Sequence, residues 1–193
     1  SRDWSSDVCS SDLARLFAFQ NPELFQKLID LLVRASIDYL ERQFKAGVES
    51  VQIFDSWAGV LPQTEFEKWC LKPILAIVEG LKARVPHARI IAFPRGVGSH
   101  LEAFAGQAAI NALSLDTSAD LGWVAREIQP KKTVQGNLDP FALIAGGSAL
   151  DQSIDRIKQA FGGKPYIFNL GHGILPETPI AHVERLVARV RSA

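Results

Sequence analysis

The chain has 193 residues, 47% hydrophobic and 22% charged, with 21 basic side chains matched by 21 acidic ones. That is enough for one domain with its own core, and it excludes a basic nucleic-acid stripe and an apolar run long enough to cross a bilayer. The first residues lack the basic start and apolar middle of a secretory leader, and Cys9 and Cys70 give neither a disulfide framework nor a metal-ligand spacing, so the expected compartment is the cytoplasm.

The opening SRDWSSDVCSSDL repeats Ser-Ser-Asp at Ser5–Asp7 and Ser10–Asp12 and has no helical or strand period. It has the composition of a polar terminal tail. Asp3–Leu13 also back-translates to a common short-read sequencing adapter. Residues 1–13 are therefore expected to be a non-native tail, set aside from the fold. The native frame is expected to begin near Ala14, within a longer gene, with residues 14–193 showing no sign of a second domain.

From Asn21 the chain alternates helix and strand. Asn-Pro-Glu supplies a cap, a first-turn proline and an early acid. Leu24, Leu28, Leu31, Leu32, Ala35 and Leu40 follow at helical spacing. Gly47 ends this helix, and VESVQIFD reads as a buried strand ending at Asp55. Thr64 opens the next helix with the capping-box spacing Thr64-x-x-Glu67. Its inner face is Phe66, Trp69, Cys70, Ile74, Ile77, Val78 and Leu81. ARIIAFP is a strand, followed by a helix over His100–Gln107. ALSLD is a short strand, followed by a weak helix over Asp120–Ile128. KTVQGNL is a strand and Ala149–Phe161 a helix; PYIFNLG and Thr178–Arg191 complete the series.

Apolar strands alternating with helices predict an α/β fold, a parallel sheet covered by helices. Two architectures fit: a doubly wound open sheet and a (β/α)8 TIM barrel. The Ser-Trp-Ala-Gly after Asp55 is not a dinucleotide-binding glycine pattern, and Arg95–His100 lacks the full spacing. About five strand signals in a chain shorter than the usual barrel of about 250 residues leave a small open domain or a partial barrel.

The unusual polar residues stand where apolar runs stop: Asp55 and Ser56, Arg95, Asp116, Asn137 and Asp139, Asn169 and His172. Parallel α/β folds bind ligands at the carboxyl ends of their strands, so these residues are expected on one rim. Asp55 and Asp116 serve equally well as helix caps or loop braces, and Asn137-Leu-Asp-Pro has the form of a turn. Arg95 also reads as a solvated loop cation. His87, His100 and His182 read as surface residues, and Trp57, Trp69 and Trp123 as packing residues. His172 lies between Gly171 and Gly173, which free the backbone for strained angles and close approach to a ligand; its imidazole can donate to an anionic group.

FNLGHGILPETP resembles the C-terminal signature of the uroporphyrinogen decarboxylase family. IFDSWAGVL and LDTSAD followed by VQGNLDP resemble other segments of that family, in the same order. The resemblance implies a (β/α)8 barrel working as a cytoplasmic homodimer without metal or cofactor. It implies removal of CO2 from the four acetate side chains of uroporphyrinogen III to give coproporphyrinogen III, with no nucleic-acid or membrane partner. It also implies that Ser56 and His172 hydrogen-bond to substrate carboxylates around a shared cavity. Arg95 is placed to suit an octa-acid. The family's arginine-rich segment, pyrrole-binding aspartate and substrate-binding tyrosine would all lie upstream. Competing readings are a zinc-dependent corrinoid methyltransferase, which needs His and Cys ligands where this chain has IIAFPRG, and a tetrapyrrole-binding module without catalysis.

Overall fold

The computed structural model describes residues 10–192 of the chain. In chain order the elements are α1 (Ser10–Gln20), α2 (Pro22–Lys45), β1 (Val51–Asp55), α3 (Gln63–Phe66), α4 (Lys72–Arg84), β2 (Ile90–Pro94), α5 (Leu101–Ala105), β3 (Ala112–Ser114), α6 (Leu121–Trp123), β4 (Thr133–Gln135), α7 (Pro140–Ala145), α8 (Gly147–Phe161), β5 (Tyr166–Ile167) and α9 (Ile180–Arg191). A π-helical turn, Glu67–Leu71, joins α3 to α4, and a second, Val124–Ile128, extends α6.

All five strands are parallel, and they lie side by side in the order β1-β2-β3-β4-β5. A doubly wound sheet reverses direction at a switch point. Here each strand joins the outer edge of its predecessor after a helical crossover, which is the way a barrel is laid down. The expected partial barrel is therefore the observed one, with five strands and an open edge at β1 and at β5 among the described residues.

The register separates two faces of the sheet. Val51, Ile53, Ile90, Ala92, Leu113 and Val134 turn toward the helices and are buried with Phe66, Val78, Leu81, Phe104, Ile128 and Phe161. This is the core, and every inner-face residue expected on the Phe66–Leu81 helix belongs to it. The opposite face carries Gln52, Phe54, Phe93, Ser114, Gln135 and Ile167. Gln135 ties three strands together there, donating to Gln52 Oε1 at 2.9 Å and to Ser114 Oγ at 3.1 Å. Phe54 and Ile167, on the two edge strands, are 64% and 41% exposed, so β1 is not the fully buried strand its sequence suggests.

Other expectations are corrected. A helix precedes Asn21, where none was read, and it includes Ser10–Leu13; residues 1–9 lie outside the described residues. Asn21 does cap α2, but without a side-chain hydrogen bond. Of the leucines assigned to its inner face only Leu40 is buried; Leu24, Leu28, Leu31 and Leu32 are exposed. The face that packs runs through Val33, Ile37, Leu40 and Phe44, because α2 carries two apolar stripes and α4 takes the other one. Thr64 and Glu67 form no capping box: the helix starts one residue earlier, after Pro62, with no side-chain cap.

α9 is held to α8 by two forked ion pairs, Arg185 to Asp151 (Nε–Oδ1 2.9 Å) and Arg189 to Asp155 (Nε–Oδ1 3.0 Å). The hydrogen bonds from the arginines hold both carboxyls below their usual range. A depressed folded pKa contributes stability above the unfolded pKa, about 3.9 for Asp, and loses it as pH falls through the lower folded value. The pairs are solvent-exposed, so the contribution is small and salt-sensitive. Acidification should therefore release α9 before α8. Hydrogen exchange compared between wild type and the Asp151→Asn, Asp155→Asn double variant at each pH checks this: the variant should show no acid-dependent difference between the two helices.

Candidate active site on the carboxyl rim

Each polar residue singled out above stands at the carboxyl end of a strand, and most of them are occupied in tying the rim together. Asp55 turns toward the helices. Its Oδ1 accepts the Trp57 N–H at 3.2 Å, and its carboxylate lies beside the Cys70 thiol, which burial first and the Asp55 charge second push up. The loop-bracing role holds for Asp55. Ser56, the next residue, is exposed on the rim.

The loop after Ser56 leans on the loop after β2. Arg95 N–H donates to the Asp55 carbonyl and Gly59 N–H to the Arg95 carbonyl, both at 2.9 Å. A side chain at Gly59 would place its Cβ 2.3 Å from the Gly96 oxygen, so only glycine permits this contact. The Arg95 side chain is exposed and forms no ion pair among the described residues.

Asp116 continues the belt. Its Oδ2 accepts the Gly96 N–H at 2.6 Å, and its Oδ1 accepts the Ser118 N–H at 2.8 Å as well as the Ser118 hydroxyl. Asn137, 7% exposed, donates its amide to the Asp116 and Ala119 carbonyls at 3.0 and 3.1 Å. Asp139 caps α7 by accepting the Phe141 N–H at 2.9 Å. The turn reading holds for Asp139, and the Asn137 side chain is a bolt between loops. Just after β5, the Asn169 carbonyl accepts from Leu138 N–H at 3.1 Å, and Gly171 N–H donates to the Leu138 carbonyl at 2.8 Å.

His172 is exposed on the last loop of this belt. Its two glycines are not equivalent. Neither has positive φ. Gly171 is buried, and a Cβ there would stand 2.6 Å from the Thr117 nitrogen and 2.9 Å from the Asp116 carbonyl carbon. Gly173 faces open space. At Gly171 the close approach is one of backbone to backbone, against the Asp116–Thr117 peptide.

Ser56 and His172 share the rim but stand on its first and last strands. Between them, over β2 and β3, lies a cavity of about 340 Å³ walled by Pro94, Ser99, Leu101, Ser114, Asp116 and Trp123, and by neither Ser56 nor His172. A smaller hollow of about 150 Å³ adjoins Ser56 through Asp55 and Trp57. Trp57, 57% exposed, is not a packing residue, whereas Trp69 is buried edge-on to Phe25. His100 and His182 are half-buried, contrary to expectation. His100 stacks on Phe66 at 4.6 Å, and His182 Nδ1 lies 2.9 Å from the Leu143 carbonyl, its ring against Gly146. Phe54, exposed on the face turned from the helices and two residues before Ser56, was not singled out. Its alternation with Ile53 is the signal that would have found it.

The family model described as uroporphyrinogen decarboxylase (URO-D) matches residues 9–193. The chain belongs to the uroporphyrinogen decarboxylase family. Curated relatives named uroporphyrinogen decarboxylase include one from Rhizorhabdus wittichii, 51% identical over 90% of this chain and 51% of its own length. Others from Sphingopyxis alaskensis and Agrobacterium fabrum are 48% and 49% identical, over 92% and 93% of this chain and 52% of theirs. The chain thus spans about half the length of the curated relatives it matches. Membership assigns the five-stranded sheet to the family's TIM barrel. Among the described residues no group of three or more His, Cys, Asp or Glu side chains is arranged to hold a metal ion, and no helix is long and apolar enough to cross a membrane.

Proposed function

We propose that the chain supplies part of a uroporphyrinogen decarboxylase barrel, acting on uroporphyrinogen III as a cytoplasmic homodimer without metal or cofactor. In each of four steps the bond between an acetate methylene and its carboxylate breaks. CO2 leaves, and the electron pair passes into a protonated pyrrole ring. A proton then delivered to the methylene carbon, with departure of the proton first added to the ring, restores the pyrrole and gives the methyl group of coproporphyrinogen III. Such chemistry asks the protein to hold the substrate, exclude water and place charge. Ser56 and His172 are the hydrogen-bond donors for the substrate's carboxylates, and Arg95 serves the same anionic ligand from the loop between them. Asn137 and Asp139 hold the rim.

The observation that carries this reading is the alignment of Ser56, Arg95 and His172 on one carboxyl rim of a parallel sheet in this family. The test joins the chain to the upstream half of the Rhizorhabdus wittichii relative and follows coproporphyrin fluorescence after oxidation. Ser56→Ala and His172→Ala should each raise KM about tenfold or more, the usual cost of losing a hydrogen bond to a charged group. Wild-type kcat/KM in both variants, or tetrapyrrole binding by the joined protein without CO2 release, overturns the assignment.

A further inference from the structure

The rim is one continuous chain of contacts, and a single carboxylate sits at its centre. From the Ser56 side, Gly59 reaches the Arg95–Gly96 backbone, and the Gly96 N–H is held by Asp116 Oδ2. From the His172 side, Gly171 lies directly against the Asp116–Thr117 peptide. From below, Asn137 grips the Asp116 carbonyl. Asp116 thus touches the loops of β2, β4 and β5 as well as its own, and it is the one side chain through which the β2 and β3 loops are hydrogen-bonded among the described residues.

We infer that Asp116 is a positioning residue: its carboxylate ties the Arg95 loop to the β3 loop, and the Asp116–Thr117 peptide that it steadies is the seat of Gly171 and the His172 loop. It touches no reacting atom in this scheme; it acts through Gly96 and Gly171 on the neighbours that meet substrate. This rests on the assignment of His172 and Arg95 above. A charged acceptor suits the task, because it can hold the Gly96 N–H and the Ser118 N–H and hydroxyl at once, one oxygen for each loop, and such bonds are stronger than neutral ones. Asparagine keeps one oxygen acceptor, enough for one loop but not for both.

Hydrogen exchange read by mass spectrometry tests the geometry and kinetics test the role, both on the chain joined to the upstream half of the Rhizorhabdus wittichii relative. Asp116→Ala should speed exchange about tenfold in peptides covering Gly96 and, across the sheet, Gly171, while α8 stays as in wild type. Asp116→Asn, which keeps one acceptor oxygen, should recover part of this change. In the joined protein Asp116→Ala should raise KM at least about tenfold with a smaller fall in kcat, and Asp116→Asn should recover part of the loss. Faster exchange confined to Thr117 and Ser118 means a local turn only and overturns the inference. So does faster exchange throughout α8, which would mean a general fold defect, or an unchanged KM in both variants. If His172→Ala leaves KM untouched while the Asp116 exchange pattern appears as expected, the substrate reading fails and the loop coupling stands.

Discussion

Given uroporphyrinogen III, the 193-residue chain by itself should form no coproporphyrinogen III, and it should self-associate at micromolar concentration. The physical reason is the surface it leaves bare. Phe54 and Ile167 on the face turned from the helices, Leu24, Leu28, Leu31 and Leu32 on α2, and Ile180 and Val187 on α9 are all exposed. The outer edges of β1 and β5 pair with no strand among the described residues. Open strand edges and extended apolar faces drive association. In chain order α2 leads into edge strand β1 and α9 follows edge strand β5. Co-expression with the upstream half of a relative should convert the associated chain into a defined complex with turnover. Sedimentation and the fluorescence assay, with and without that half, decide the matter. A monomer that melts cooperatively and turns over substrate unaided would show that these surfaces need no partner.

The architecture was legible in the sequence because the signals were periodic. Every strand falls within the run assigned to it, and the seven residues read as the inner face of Phe66–Leu81 are all buried. Sequence could not decide between a barrel arc and a doubly wound sheet, since both alternate strand and helix; the spatial order of the strands decides it. Misreadings arose where one element carries two competing patterns. α2 has two apolar stripes, and periodicity cannot say which one meets α4. Thr64-x-x-Glu67 has the capping spacing, but Pro62 already starts the helix and leaves the box unformed.

The rim was legible as a location and less so as a mechanism. Polar residues at strand ends marked it, yet several of those residues spend their side chains on backbone groups. Asp55, Asp116, Asn137 and Asp139 all hydrogen-bond to the main chain, and this competition between binding ligand and holding loops is invisible in one dimension. The same holds for the small residues. Gly59 enters the sequence reading only as part of Ser-Trp-Ala-Gly, which is no dinucleotide-binding pattern, yet it permits the contact with Gly96 that carries the belt from the Ser56 loop to the Arg95 loop.

The two glycines beside His172 give the sharpest test, because sequence treats them alike and structure does not. In Gly171→Ala the new methyl would meet the Asp116–Thr117 backbone at 2.6–2.9 Å, and a peptide, unlike a flexible side-chain tip, cannot swing aside. One loop must move. Overpacking of this kind costs about 1–3 kcal/mol, which for a chain of this size lowers Tm by several degrees, roughly 2–4 °C per kcal/mol. A shift of about 1 Å at His172 lowers kcat/KM about a hundredfold. In Gly173→Ala the methyl enters open space at a residue without positive φ, so stability should stay within about 0.5 kcal/mol. Melting of the chain with and without the upstream half, and kcat/KM of the joined protein, separate the two. Equal damage from both substitutions would mean that His172 needs freedom on both sides, as a residue approached closely by its ligand would; damage from Gly171→Ala alone means that its position is inherited from the loop of β3.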